Sequence, residues 1–244
     1  MELLLKAKDK LATLIIERDL SKEPIKVRAK PLTPSEAIGN PERNDFPILK
    51  GKERLMQAEF MGALGQAFSD MYGNFEGTIS EVLEMELSNN YQRSIFVASL
   101  NAIMRYASLV EGTIHCRDNQ PGDCSKCLVE FVSKNYRNPK IALVGLQPAM
   151  AECLTENYDI RITDMCPDNI GKQKFNHIIQ DGSKYNDKVL NWCDLALVTG
   201  TTAVGGTIDA ILSHASGKET VFYGVTVAGI AELMGFKRFC PYST

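Results

Sequence analysis

The chain has 244 residues, enough for one large domain or two modest ones, and its 44% hydrophobic and 23% charged residues are typical of a soluble globular protein. The net charge of −3 and the lack of a dense basic stretch exclude a typical nucleic-acid surface, and no apolar run is long enough to cross a bilayer. With no signal-peptide pattern and seven unevenly spaced cysteines, we expect a cytoplasmic protein.

The chain begins with a predicted helix and a long loop. From Leu3 to Arg18 apolar and charged residues recur at helical spacing. The segment from Pro31 to Gly51 is rich in turn formers, which predicts a loop, and loops of this length are often functional. Its Arg43 and Asp45 are candidates for contacting a ligand, although exposed loop charges are more often simply solvated.

The rest of the first half mixes strands and helices. Arg54 to Phe68 contains several small residues and predicts a strand that runs into a tight turn. Thr78 and Glu81 have the spacing of a capping box that opens a helix. Tyr91 to Leu109 has apolar residues three and four positions apart, which predicts another helix. Residues 1–110 therefore read as an α+β domain.

Cysteine and histidine are concentrated in the connecting segment, residues 111–139. His115, Cys116, Cys124 and Cys127 lie within thirteen positions. Asp123 has the character of a helix N-cap, which would place Cys124 and Cys127 on one face of the first turn. Thiolate and imidazole groups favour soft and borderline metals, so the cluster indicates a metal site, for zinc or iron, or a site of reactive thiols. Buried thiols and a structural disulfide remain as alternatives.

From about residue 140 the pattern changes to alternating strands and helices. The predicted strands are Ile141–Gly145, Asp159–Asp164, Asp194–Thr199 and Val221–Gly224, and the later helices are Ile208–Ala215 and Ala228–Met234. This βαβ alternation predicts that residues 140–244 form a Rossmann-like parallel sheet flanked by helices. Ligands bind such sheets at the carboxyl ends of the strands.

The first two strand ends carry candidate ligand-binding residues. Gly145 ends the first strand, but a dinucleotide fingerprint needs three glycines, so we expect no NAD or FAD. Asp164 ends the second strand, nineteen positions later, where Rossmann proteins place a ribose-binding carboxylate. Asp164 and the nearby Cys166 are therefore candidates, although such an aspartate is also a common turn residue.

The loop after the third strand is the richest in polar groups. Glycines let the backbone approach a ligand and threonines offer hydroxyls, and the candidates are Thr199, Gly200, Thr201, Thr202, Gly206 and Thr207. The loop lacks the Gly-Lys-Ser/Thr ending of a P-loop, so ATP hydrolysis is not supported. Tight packing alone would also explain the glycines. Thr226, after the fourth strand, is a further candidate.

Four motifs resemble those of a prokaryotic family described as putative heavy-metal chelation. They are Leu197–Asp209, Ala58–Phe68, Ser99–Ile103 and Thr113–Asp118. The resemblance implies an enolase N-terminal-like α+β domain followed by a Rossmann-like domain, with a cleft between them as the site of function. Gly205 departs from the family pattern, in which asparagine is expected.

Three functions remain open. The leading hypothesis is a protein that binds a small polar or anionic ligand, and a transition metal, in the interdomain cleft. The alternatives are an enzyme acting on a nucleotide-like or other anionic molecule, with a structural cysteine cluster, and a scaffold subunit. No catalytic set can be identified from the sequence, and a homo-oligomer is compatible with all three.

Overall fold

The computed structural model describes residues 1–20, 26–50 and 53–244, without the side chains of residues 26–28. Two predicted boundaries lie outside the described residues: Ile25, the start of an extended segment predicted to run to Lys30, and Gly51, at one end of the predicted loop. The first half contains α1 (Glu2–Glu17), β1 (Lys26–Leu32), α2 (Pro34–Ile38), a 3-10 helix (Pro47–Lys50), β2 (Arg54–Phe60), β3 (Ala63–Ser69), β4 (Phe75–Thr78), α3 (Ile79–Glu84) and α4 (Asn90–Tyr106).

The second half begins with a helix and then alternates. Its elements are α5 (Gln120–Asn135), β5 (Ile141–Val144), α6 (Pro148–Thr155), β6 (Ile160–Asp164), β7 (Gln173–Lys174), β8 (His177–Ile178), β9 (Gln180–Asp181), α7 (Gly182–Trp192), β10 (Leu195–Thr199), α8 (Thr201–Val204), α9 (Ile208–His214), β11 (Glu219–Tyr223), α10 (Ala228–Met234) and β12 (Lys237–Phe239). Across the described ranges, every helix is too short or too polar to cross a membrane.

The predicted loop is partly wrong, because it contains the short helix α2. Thr33 caps this helix: its Oγ1 accepts from the Glu36 amide at 3.3 Å, and the Glu36 carboxylate accepts from the Thr33 amide at 2.8 Å. Pro34 occupies the first turn, where a missing N–H costs nothing. The same reciprocal arrangement at Thr78 confirms the capping box predicted for α3.

Two other local predictions are wrong. The single strand predicted from Arg54 to Phe68 is a hairpin of β2 and β3. Met61 and Gly62 form its two-residue turn with φ values of 51° and 81°, as a type I′ turn requires. Asp123 is not an N-cap, because α5 already begins at Gln120, with Pro121 in its first turn. Cys124 therefore lies one turn further into the helix than predicted.

Two larger sheets in the described part of the chain confirm the predicted fold class. The first is antiparallel with strand order β3-β2-β1-β4, and the second is parallel with order β12-β11-β10-β5-β6-β9. A small β7-β8 hairpin accompanies the second sheet. In the parallel sheet the chain starts at β5, builds outwards through β6, and then crosses to β10. The carboxyl ends of β5 and β10 therefore form a switch point, where a crevice opens.

Helix α4 lies between the two sheets and belongs to the core of both halves. Every residue from Ser94 to Met104 is buried. One side of the helix packs on β2 and β3, and the other packs on α8 and α10. The approach to β3 is close at Gly65, where a Cβ would lie 2.2 Å from the Ala102 amide nitrogen. Glycine is therefore required at this crossing.

Asn101 joins the two halves from within this helix. Its side chain is fully buried, and its Nδ2 donates to the carbonyls of Gln66 at 2.9 Å and Val225 at 3.1 Å. Its Oδ1 accepts from the Gly229 amide at 2.8 Å. One amide thus satisfies backbone groups of β3 and of the β11–α10 connection. Such groups would be costly to leave unpaired.

We predict that Asn101→Leu, which keeps the size of the side chain, lowers the free energy of unfolding by about 3 kcal/mol or more, because several buried backbone groups lose their partner. Urea denaturation measures the change. Asn135→Leu is the matched control, since Asn135 is exposed on α5 and only bonds the Phe131 carbonyl of its own helix. Equal stability of the two variants would contradict the role assigned to Asn101.

Candidate functional site

A cavity of about 850 Å³ opens at the switch point of the parallel sheet, and we call it the cleft. Its volume lies within the range of small-molecule sites. Ser69, Asp70 and Asn90 line it from the antiparallel sheet and α4, while the strand ends Gly145 and Thr199 line it from the parallel sheet. Both halves of the molecule therefore contribute to one site.

The floor of the cleft is built by closely packed strand ends. Gly145 has a φ of 90°, and a Cβ there would lie 2.5 Å from Thr199 Cγ2, so both conformation and space require glycine. The Tyr223 hydroxyl donates to the Gly145 carbonyl at 2.8 Å. Burial raises the pKa of Tyr223, so the phenol keeps its proton and remains a donor. These contacts fix the spacing of β5, β10 and β11.

Most of the predicted ligand-binding residues line the cleft: Asp45, Gly145, Asp164, Cys166, Thr199, Gly200, Thr201, Thr202, Thr207 and Thr226. Two do not. Arg43 lies behind Asp45, and Gly206 lies beside the Arg93 guanidinium, where its φ of 73° serves the turn before α9. The fold brings the lining residues together around one cavity. Ligand binding by these residues stays a prediction.

The threonines differ in what they can offer a ligand. Thr202 Oγ1 donates to the Thr199 carbonyl at 2.8 Å, and Thr226 Oγ1 accepts from the Phe68 amide at 3.1 Å, so both hydroxyls have structural partners. The hydroxyls of Thr199 and Thr201 lie 3.1 Å apart and bond mainly to each other. A hydroxyl pair of this kind has donor and acceptor capacity left for a ligand.

Asp164 organises the loops around the cleft. Its Oδ1 accepts from the Cys166 amide at 2.7 Å. Its Oδ2 accepts from the Leu146 amide and from Asn169 Nδ2, both at 3.1 Å. The carboxylate therefore holds the loops after β5 and β6 together and has little capacity left for a ligand.

Arg43 and Asp45 form a fixed corner. The Arg43 guanidinium makes two bonds to the Asp45 carboxylate, at 2.8 and 3.0 Å, and a third to Glu152 of α6. The hydrogen bond from Arg43 lowers the pKa of Asp45, which therefore stays ionised. The segment that carries Asp45 is thus anchored to the parallel-sheet half at the edge of the cleft.

His115, Cys116 and Cys124 line the cleft together with Cys240. Burial lowers the pKa of His115 to about 4, so the imidazole is neutral. Its Nδ1 must donate, because its partner at 2.5 Å is the Cys116 carbonyl, and Nε2 then carries the free lone pair. Burial, reinforced by Cys240, raises the pKa of Cys116 to about 12, and burial also raises that of Cys124.

The predicted four-residue metal set is only partly brought together. Cys127 lies away from the cleft, with its Sγ 3.9 Å from the Tyr242 hydroxyl. All seven cysteines are free, so no disulfide joins them. In the described ranges no three histidine, cysteine or acidic side chains converge as metal ligands. The donors have suitable chemistry for a soft metal, but their geometry does not fit a ready-made centre.

Glu53 is a cleft residue that the sequence did not reveal. It precedes β2 and faces Asp70 and Asp164, and its carboxylate makes no hydrogen bond to another described residue. Burial, together with those two carboxylates, raises its pKa to about 7. Lys50, Lys172 and Lys174 also line the cleft, so the space contains both signs of charge. No local motif marks Glu53, because only the fold brings it opposite Asp164.

Comparison with known proteins supports the family resemblance. A family model, DUF364, described as putative heavy-metal chelation, matches residues 128–237. The structure of a protein of unknown function from this family in Pyrococcus horikoshii has a TM-score of 0.58 at 18% identity and covers 92% of this chain and 79% of that one. A second, from Desulfitobacterium hafniense DCB-2, has a TM-score of 0.51 at 12% identity, covering 74% and 72%. No curated protein matches.

The comparisons confirm the resemblance over the Rossmann-like half and the fold over most of the chain. The matched segment begins in α5 and ends in β12, so it includes the strand ends that form the floor of the cleft. At 18% and 12% identity the two structures show the fold alone.

We predict that Glu53→Gln removes a pH dependence of stability. The carboxyl has a pKa of about 7 when folded and 4.5 as its ordinary value. The folded protein therefore binds more protons between these values, and stability is lost as the pH rises through 7. The variant should resemble wild type at pH 5 and be more stable at pH 8, by up to about 3 kcal/mol.

Urea denaturation at pH 5, 6, 7 and 8 tests this prediction. Glu59→Gln is the matched control, because Glu59 lies exposed on β2, the strand that follows Glu53. A stability difference between Glu53→Gln and wild type that stays constant over this pH range would show that Glu53 ionises normally.

Proposed function

We propose that the protein binds a small polar molecule in the cleft, as a cytoplasmic ligand-binding protein. The observation that carries this proposal is the cavity of about 850 Å³ at the switch point of the parallel sheet, where ligands of open α/β sheets bind. The Thr199 and Thr201 hydroxyls face this space from the end of β10.

The charges of the cleft support a polar rather than an apolar ligand. Glu53 and Asp70 lie on the side of the antiparallel sheet, and Lys50 and Lys174 line the same space. A purely apolar molecule would desolvate these groups without pairing them, at a cost in binding free energy. A molecule with its own polar groups avoids that cost.

An enzyme acting on a nucleotide-like or other anionic molecule is the second candidate. One observation favours it: with a pKa of about 7, Glu53 can both donate and accept a proton near neutral pH. No nucleophile with an adjacent base accompanies it among the described residues of the cleft, so the binding function remains the leading proposal.

Metal binding forms a separate part of the proposal. One side of the cleft, which we call the thiol wall, is lined by His115, Cys116, Cys124 and Cys240. Imidazole and thiolate groups are ligands that soft metals prefer. Because no three donors converge among the described residues, a metal would need side-chain movement or donors supplied by the bound molecule. The description of the matching family is consistent with this part but names no metal.

A thermal-shift screen against nucleotides, pterins and metal chelates tests the proposal. We expect at least one class to raise the melting temperature of the wild type, since binding to the native state stabilises it. Thr201→Val should weaken that binding about tenfold with the fold intact, because one hydrogen bond is lost. Thr220→Val, in β11 and away from the cleft, should bind normally. A complete lack of hits, or equal affinity of the two variants, would contradict the proposal.

The same screen includes Zn²⁺ and Cd²⁺ salts to test the thiol wall. We expect any metal-induced shift to disappear in a variant with both Cys116→Ser and Cys124→Ser. Cys127→Ser is the matched control, because Cys127 does not line the cleft. Retention of the shift in the double variant would exclude Cys116 and Cys124 as ligands of the metal.

A further inference from the structure

Two buried oxygen atoms of the cleft have no hydrogen-bond partner. They are Thr163 Oγ1 and Asn186 Oδ1, and Ser99 Oγ is the other such atom among the described residues. Thr163 and Asn186 both line the cleft, whereas Ser99 lies inside α4 and does not. Buried polar groups are almost always paired, so two unpaired groups on one cavity indicate a missing partner.

Thr163 lies on β6 and Asn186 on α7, the helix that packs on the Thr163 face of this strand. Along β6, Ile160 and Ile162 join the core on one face of the sheet, so Thr163 points to the opposite face. Arg161, on that same face, stacks on Trp192 of α7 with its guanidinium 4.2 Å from the ring centroid. Thr163 is therefore directed towards α7, the helix that carries Asn186.

The atoms packed around Gly182, the first residue of α7, show where the Asn186 side chain lies. A Cβ on Gly182 would lie 3.2 Å from Asn186 Nδ2 and 3.3 Å from the Asp164 carbonyl oxygen. The Asn186 amide thus lies beside the residue that directly follows Thr163. Met165 Sδ lies 3.2 Å from the position of that Cβ, so the Met165 side chain borders this end of the cleft.

The hydroxyl of Thr163 has no structural role that the fold reveals. Its side chain is 0% exposed, and valine would fill the same volume without an unpaired oxygen. The β6 ladder uses only the backbone of Thr163, paired with Val144 and Gln180. A hydroxyl kept in this environment needs a partner that comes from outside the chain.

The surroundings select an uncharged partner. Thr163 and Asn186 offer a hydroxyl and an amide, neither of which carries a charge that could pair with a charged group. The Asp164 carboxylate, on the face of β6 opposite Thr163, already accepts three hydrogen bonds. A charged group held here would lose hydration without gaining an opposite charge from Thr163 or Asn186. Lys174 donates to Asn169 at 2.8 Å, and Asn169 bonds Asp164, so this cation belongs to the Asp164 side of β6. A neutral group that both donates and accepts matches the hydroxyl and the amide.

We propose that Thr163 and Asn186 form a subsite that binds a carboxamide or hydroxyl group of the ligand. This inference rests on the proposed function and narrows its ligand class: the part of the molecule held between β6 and α7 is uncharged. Any anionic part of the molecule lies elsewhere in the cleft, nearer Lys50 and Lys172.

Acetamide and acetate provide a direct test, because they have the same shape and differ in charge. The full-length protein is labelled at the methionine methyl groups, and the Met165 methyl resonance reports on this end of the cleft. We expect acetamide to shift this resonance in a saturable way and acetate to leave it unchanged. Thr163→Val and Asn186→Leu should each weaken acetamide binding about threefold to tenfold, the effect of one lost hydrogen bond.

Ser99→Ala is the matched control. It removes the unpaired hydroxyl outside the cleft, so it should leave acetamide binding unchanged. Acetate binding as tight as acetamide, or wild-type affinity in both subsite variants, would overturn the subsite. If the screen yields a ligand that binds Thr163→Val and Asn186→Leu normally but Thr201→Val weakly, the proposed function stands and the subsite is wrong.

Discussion

The buried amide of Asn101 is the interaction on which the rest of the structure depends. From the middle of α4 it pairs with the Gln66 carbonyl of the antiparallel sheet and with Val225 and Gly229 of the parallel-sheet half. A leucine-rich contact would tolerate sliding of one half over the other, whereas a buried amide with fixed partners does not. The two halves are therefore held in one register.

This register determines the shape of the cleft. One wall ends with Glu53 and Asp70 and the other with Asp164 and Thr199, so their spacing depends on how α4 holds the sheets. The close packing around Gly145 fixes the floor of the cleft. The same geometry brings Glu53 opposite Asp164, and the resulting repulsion is an energetic cost that a well-paired ligand would relieve. In the proposed function, stability and binding are therefore linked through the Glu53 carboxylate.

The sequence predicted the features that depend on local pattern. The parallel strands follow from short apolar runs, and the capping box at Thr78 follows from spacing alone. Prediction from the sequence failed where the pairing or packing of separate segments determines the structure. Arg54 to Phe68 was predicted as one strand running into a tight turn, but the turn lies inside this segment, at Met61 and Gly62, and the two parts pair with each other. Glu53 and Asn186 could not be found, because nothing local distinguishes a cleft residue from an exposed one.

The cysteine cluster shows the same limit. His115, Cys116 and Cys124 do line one wall, but α5 begins earlier than predicted and leaves Cys127 outside. Cys240, distant in sequence, lies on that wall instead, because β12 returns the chain to the cleft. Spacing along the chain identified three side chains of this wall but not the fourth.

Native-state hydrogen exchange in increasing urea tests most directly whether the two walls of the cleft form one cooperative unit. The decisive amides are that of Gly229, bonded to Asn101, and those of β2 and β10. One shared opening free energy, equal to that of global unfolding, is the predicted result. Exchange of β2 at a clearly lower free energy than β10 would contradict it, because the cleft would then join two independently unfolding domains.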